Sequence, residues 1–276
     1  MKLEIFRTLW GYTASKAQAL DELLEAGFDG MEARLPLQAA ERAEFAAFLR
    51  ANRTPYISTV FTAYDVLPEH LRDLEQKLAW AAELEPRFVN VLAGNDRWPL
   101  AQQVAFFGQA MELARQQGQT CSFETHRARS LFNPWVTLEL IRQLPDLRFT
   151  SDISHWVVTC ERLLDDPADD LGPFIERVHH VQARVGYDQG PQVPHPGAPE
   201  YARELAFHQA HWEAVWRSQQ ARGYRVSTLT PEFGADGYLH HLPFTNVPVA
   251  DLWSLNVWMA RTEREHFDRF CHPTQP

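Results

Sequence analysis

Cysteine is scarce in this chain of 276 residues: Cys121, Cys160 and Cys271 stand far apart, with no Cys-x-x-Cys pair. That pattern excludes a disulfide-stapled scaffold and fits reduced thiols in a cytoplasmic protein. No apolar run approaches membrane-spanning length, and the opening "MKLEIFRTLWGY" lacks the apolar segment of a secretory signal. Positive charge is also short. Lys and Arg number 26 against 36 Asp and Glu, a formal net charge of −10, whereas a nucleic-acid partner normally requires a basic face. No glycine-rich phosphate loop follows the first strand-like run, so a dinucleotide-binding fold lacks its usual signal. No tract is of low complexity, and disorder is excluded with it.

What is present is a regular alternation. Hydrophobic residues make up 45% of the chain, enough for a large core. Strand-like runs are predicted at 2–9, 28–35, 55–62, 87–94, 119–126, 147–152, 177–184 and 224–234. Helical patterns are predicted at 15–27, 36–52, 68–85, 99–118, 133–145, 157–166, 198–223 and 249–270. Pro36 sits well in a first helical turn, and Gly27 and Gly118 close two helices. Eight strand–helix pairs with none left over is the count of an α/β (β/α)8 TIM barrel, a single domain over 1–276. A doubly wound open sheet offers no reason to stop at eight.

In such a barrel the active site forms at the C-terminal ends of the strands. Strand two ends near Glu32 and Arg34, and strand four near Asn90 and Asn95. Strand five ends with Glu124 and His126, strand six with Asp152 and His155, strand seven with Gln182 and Arg184, and strand eight with Glu232. Side chains alternate along a strand, so Ser122, Glu124 and His126 share a face, as do His180, Gln182 and Arg184. Acids converging from strands five, six and eight would repel one another and take up protons; a divalent cation resolves the conflict. Asp152 therefore reads as a metal ligand rather than as the cap of the next helix. His126, beside Arg127 and Arg129, reads equally as a solvated loop residue and as a site residue. Trp10, Trp98 and Trp156 read equally as core and as sugar-stacking walls. His180 lies one inward position below Gln182 and reads as a buried residue of a deeper layer.

The segments "FDGMEARLP", "SFETHRARSLFNPW", "TSDISHWVV", "VQARVGYDQGPQVPHP" and "TPEFG" resemble the xylose-isomerase-like TIM-barrel superfamily, which includes sugar isomerases, ketose 3-epimerases and endonuclease IV. The resemblance spans nearly the whole chain. It implies one metal held by Glu124, Asp152, Gln182 and Glu232, with His155 on substrate or metal-bound water. The departure is at strand seven, where the family usually carries histidine and this chain has Gln182. An all-oxygen set suits Mn²⁺ or Mg²⁺ better than Zn²⁺ or Co²⁺.

The expected activity is a metal-dependent isomerase or epimerase of a small sugar or keto-polyol. It would work through an enediolate with Glu124 and Glu232 as the acid–base pair. His155, Arg184, His126, Trp10 and Trp98 are the expected substrate-binding residues, and the proline-rich loop 185–199 is expected to cover the site. The same base would serve a metal-assisted lyase or dehydratase on a keto-sugar or cyclitol. A non-catalytic sugar-binding barrel is the third reading. An endonuclease on abasic DNA is disfavoured, because strands three and four end in "STVFTAYD" and "NVLAGND", without histidine. The expected partner is thus a small molecule, with no nucleic acid and no membrane, and a homodimer or homotetramer as the assembly open to such a barrel.

Overall fold

Eight short parallel strands close on themselves in chain order: β1 (Lys2–Thr8), β2 (Gly30–Arg34), β3 (Tyr56–Phe61), β4 (Val89–Leu92), β5 (Cys121–Glu124), β6 (Phe149–Ser151), β7 (Val178–Gln182) and β8 (Val226–Thr230). β8 pairs back onto β1 with Ile5 opposite Leu229. The computed structural model describes residues 1–272. Helices α1 (Lys16–Ala26), α2 (Ala39–Asn52), α3 (Leu67–Ala82), α4 (Leu100–Gln116) and α5 (Pro134–Gln143) follow the first five strands. Two short helices, α6 (Ser154–Cys160) and α7 (Gly172–Ile175), separate β6 from β7. α8 (Ala202–Ala221) and α9 (Leu252–Cys271) complete the ring.

Local chemistry sets the helix ends. Ser15 Oγ accepts the Gln18 N–H at the start of α1, and Gly27 closes that helix at φ 79 in the left-handed region. Asn133 caps Val136 N–H with Pro134 at the first turn of α5, and Asp251 caps Ser254 N–H in α9. Between sheet and helices lies a continuous aromatic core. Phe106, Phe107 and Phe123 stack edge to face at 5.1–5.2 Å, and Trp156 packs on Phe174 at 4.6 Å. Each such ring buries enough apolar surface for roughly 2–3 kcal/mol.

The helix expected over 157–166 starts and ends earlier. Asp152 Oδ1 accepts both the N–H and the hydroxyl of Ser154, which nucleates α6 immediately after the strand. Glu161, at φ 51, turns the chain out of the helix. Asp152 is therefore also a turn-forming acid, the role that the metal-ligand reading alone leaves out.

The barrel interior is polar where many barrels are filled with branched aliphatics. Ser122 and Thr150 share a hydrogen bond of 2.6 Å, and His180 Nδ1 bonds Thr228 Oγ1 at 2.8 Å. His180 is fully buried, as its register implied, while His179 points outward to the Tyr224 hydroxyl. A separate apolar cluster of Phe6, Ile57 and Phe88 closes off this layer, with Phe88 5.2 Å from the His180 ring.

Candidate active site

A cavity of about 560 Å³ opens at the C-terminal ends of the strands. Glu32 lies inside β2, Glu124 stands at the end of β5, and Glu232 lies two residues past β8; all three line it, together with His126 and Arg184. Carboxylate oxygens of Glu124, Asp152 and Glu232 all lie within 4.8 Å of one another. Glu124 and Asp152 are almost fully buried.

One carboxylate organises the floor. Glu32 Oε1 accepts hydrogen bonds from Thr59 Oγ1 at 3.1 Å, Asn90 Nδ2 at 3.2 Å and Gln182 Nε2 at 2.8 Å. Asn90 Nδ2 also donates to Glu124 Oε2 at 2.6 Å. Because Gln182 spends its NH₂ on Glu32, its Oε1 is turned elsewhere, and that oxygen is buried without a partner. Glu232 Oε2 is likewise unpartnered apart from the Arg184 guanidinium 3.7 Å away.

The charges follow from this packing. Burial, and then the neighbouring Asp152, push the Glu124 carboxyl up to about 8. Burial and Glu124 raise Glu232 well above the carboxylate range. Burial also raises Asp152, against the opposing pull of Arg184. Burial would raise Glu32 as well, but its contacts with His180, Thr230 and Asn90 outweigh it and hold Glu32 below its ordinary value. Three acids with elevated pKa values beside one ionised acid mark a site short of positive charge.

Arg184 supplies part of that charge. It bonds Asp152 Oδ2, and its Nη2 lies 2.8 Å from His155 Nε2. Arginine has no acceptor, so His155 Nε2 accepts and the ring proton sits on Nδ1, which is buried and unpartnered. His126 is held in the same tautomer. Its Nδ1 donates to the Arg127 carbonyl, which leaves Nε2 as the acceptor of a ring that lines the cavity. Burial holds both rings neutral, with His126 pushed down to about 3. The rings sit 3.9 Å apart.

Of the residues singled out from the sequence, Glu124, Asp152, Glu232, His126, His155 and Arg184 come together, and Gln182 joins them through Glu32. His155 does not line the cavity; it stands behind Arg184. Trp10 is a wall of the cavity, its Nε1 donating to Asp236 Oδ2 at 2.9 Å. Gly234 makes this placement feasible, since a Cβ there would come within 1.9 Å of the indole. Trp98 is a correction. Its ring packs against His70 and Phe106, its Nε1 bonds the Asp65 carbonyl, and it does not reach the cavity. It lies six residues past β4, where the chain has already turned back toward α4. Trp156 is core.

The loop 185–199 is a second correction. No residue of it lines the cavity. It braces the following loop instead, through Gln192 to Gly234 and through its carbonyl to His240. The cover comes from 235–250. Tyr238 lies over the site with Arg184 at 4.6 Å and Arg127 at 4.9 Å from its ring centre. No signal in the sequence singles out Tyr238, Asp236 or Phe61. Glu32 and Asn90 are visible there as strand ends, but nothing in the sequence alone gives them a role.

A family model described as "Xylose isomerase-like TIM barrel" matches residues 20–243. No curated protein matches the sequence. Among solved structures, an apo 3-keto-D-glucoside 4-epimerase from E. coli is 14% identical at a TM-score of 0.63, covering 94% of this chain and 100% of that one. A probable 3-DHS dehydratase from Bacillus anthracis is 13% identical at 0.61, covering 95% and 98%. Endonuclease IV from Thermus thermophilus is 16% identical at 0.60, covering 98% and 100%. At these identities the likeness is one of fold.

Proposed function

Because the chain belongs to the xylose isomerase-like TIM barrel family, we propose that it is a divalent-cation-dependent isomerase or epimerase of a sugar or keto-polyol, with Glu124 and Glu232 as its acid–base pair. One observation carries the reading: the carboxylates of Glu124, Asp152 and Glu232 converge within 4.8 Å. The donor set fits a hard cation. Three carboxylates offer oxygen, and the buried Gln182 Oε1 and Glu232 Oε2 lack hydrogen-bond donors. Gln182 and the three acids would hold the ion, and an all-oxygen shell favours Mn²⁺ or Mg²⁺. When bound, the cation would polarise a substrate carbonyl and its neighbouring hydroxyl, acidifying the C–H between them.

The protein's own groups would then move the proton. Glu232 lines the cavity and Glu124 is fixed beside it by Asn90, so one withdraws the proton from carbon and the other returns it. His126 Nε2 accepts from a substrate hydroxyl. Arg184 holds Asp152 in place, and Tyr238 above it excludes water.

In deuterated water with Mn²⁺, a suitable keto-sugar should gain deuterium at the carbon next to its carbonyl. Glu232→Gln should suppress exchange far more than binding, since it removes a proton acceptor and keeps the shape. Conversion with no deuterium uptake would point to a hydride shift or to shielded internal proton return, which single-turnover exchange separates; a hydride shift would sink the acid–base pair.

A lyase or dehydratase is the second reading. It is favoured by the apolar stretch of wall formed by Leu9, Trp10, Phe61 and Leu92, which offers few partners to a heavily hydroxylated open chain. Release of water during turnover distinguishes it.

A further inference from the structure

We infer that Arg34 is an anion subsite, so that the keto-substrate of this barrel carries a carboxylate or a phosphate away from its reacting carbonyl; this rests on the isomerase reading above. Arg34 follows Glu32 by two residues on β2, so both face the cavity, with Arg34 one layer higher, roughly 6–7 Å nearer its mouth. Its guanidinium lies over the Phe61 ring at 4.8 Å, and Phe61 is itself cavity wall. Contact with the ring restrains the guanidinium without using its N–H donors, and such a fork receives an oxyanion through two parallel bonds.

No acid answers that charge. Among the described residues Arg34 forms neither an ion pair nor a side-chain hydrogen bond, whereas the deeper Arg184 is matched by Asp152 and Glu232. Asp236, the acid on the same cavity wall, accepts from Trp10 Nε1 and makes no ion pair with Arg34. A second guanidinium without an acid partner among the described residues, Arg127, lies on Tyr238 above the site. The chain carries a net charge of −10, yet Arg34 on this cavity wall has no acid partner among the described residues. Thr59, opposite Arg34 in the sheet, spends its hydroxyl proton on Glu32, and the neighbouring wall residues Phe61 and Leu92 are apolar, which leaves an uncharged polyol little to bond.

The test measures dissociation constants by calorimetry on the Mn²⁺-loaded protein with three probes: D-fructose, D-fructose 6-phosphate and 5-keto-D-gluconate. At least one anionic probe should bind about ten- to a hundredfold tighter than fructose, as a charge-assisted contact gives. Arg34→Gln should erase that difference and leave the fructose constant unchanged. An unchanged melting temperature checks that the exposed substitution leaves the fold intact. Tight binding of the phosphate alone assigns a phosphate subsite, and of 5-keto-gluconate alone a carboxylate subsite. Equal constants for all three probes, or a preference that survives Arg34→Gln, overturn the inference. Mn²⁺-dependent fructose binding without anion preference removes only the subsite. Failure of all three probes to bind or exchange deuterium removes the isomerase reading, and the subsite with it.

Discussion

Gln182 is the residue on which the metal reading turns. Its NH₂ is committed to the Glu32 carboxylate, so its carbonyl oxygen is the atom left for the carboxylate cluster. Gln182→His should shift metal preference toward Zn²⁺ or Co²⁺ relative to Mg²⁺, because imidazole is the softer donor. Competitive titration of chelated protein checks this, and an unchanged preference would place position 182 outside the shell. Asp152 shows why single-residue readings mislead. Cap and ligand look like alternatives in the sequence, yet one oxygen serves the Ser154 turn while the other meets Arg184 at the cluster. A carboxylate has lone pairs enough for both.

At the scale of elements, α8 and α9 are clasped by a buried histidine. His266 Nδ1 meets Glu263 at 2.9 Å and its Nε2 meets Glu213 of α8 at 2.8 Å, while Gln209 of α8 donates to Glu263 at 2.7 Å. Burial opposes protonation of His266, but the two glutamates outweigh it and raise the imidazole above its ordinary 6.5. A raised histidine binds its proton more tightly when folded. The clasp therefore contributes fully below about pH 6.5 and is lost as pH climbs through the folded value. Glu263→Gln should lower stability by roughly 1–3 kcal/mol at pH 6. The gap to wild type should narrow toward pH 9 in thermal melts; a gap independent of pH would show that the pair acts by packing alone.

Taken as a whole, the barrel has its three acids on different staves, at or just past the ends of β5, β6 and β8. A cation bound to all three ties those strands together in the native state only. At a hundredfold excess over its dissociation constant it adds about 2.7 kcal/mol. For a chain of this length that is a rise of roughly 5 °C in Tm. Asp152→Ala should abolish the Mn²⁺-induced rise, and an equal rise in the variant would locate the ion elsewhere.

The strand–helix rhythm, the barrel it closes into and the layer of each inward residue were legible in the sequence, because hydrophobic periodicity and alternation are local properties of the chain. Glu124, Asp152 and Glu232 could be named for the same reason: each stands at or just past the end of a strand, and parallel strands of one barrel point their ends at one place. The tertiary structure alone decided the rest. That Glu32 is the hub of the floor depends on donors from β3, β4 and β7 meeting one oxygen. That Tyr238 rather than the proline-rich loop roofs the site, and that Trp98 turns into the core, depends on loop paths. Loops carry no period, and their course is set by contacts, such as His240 on the Gln192 carbonyl, between residues far apart in the chain.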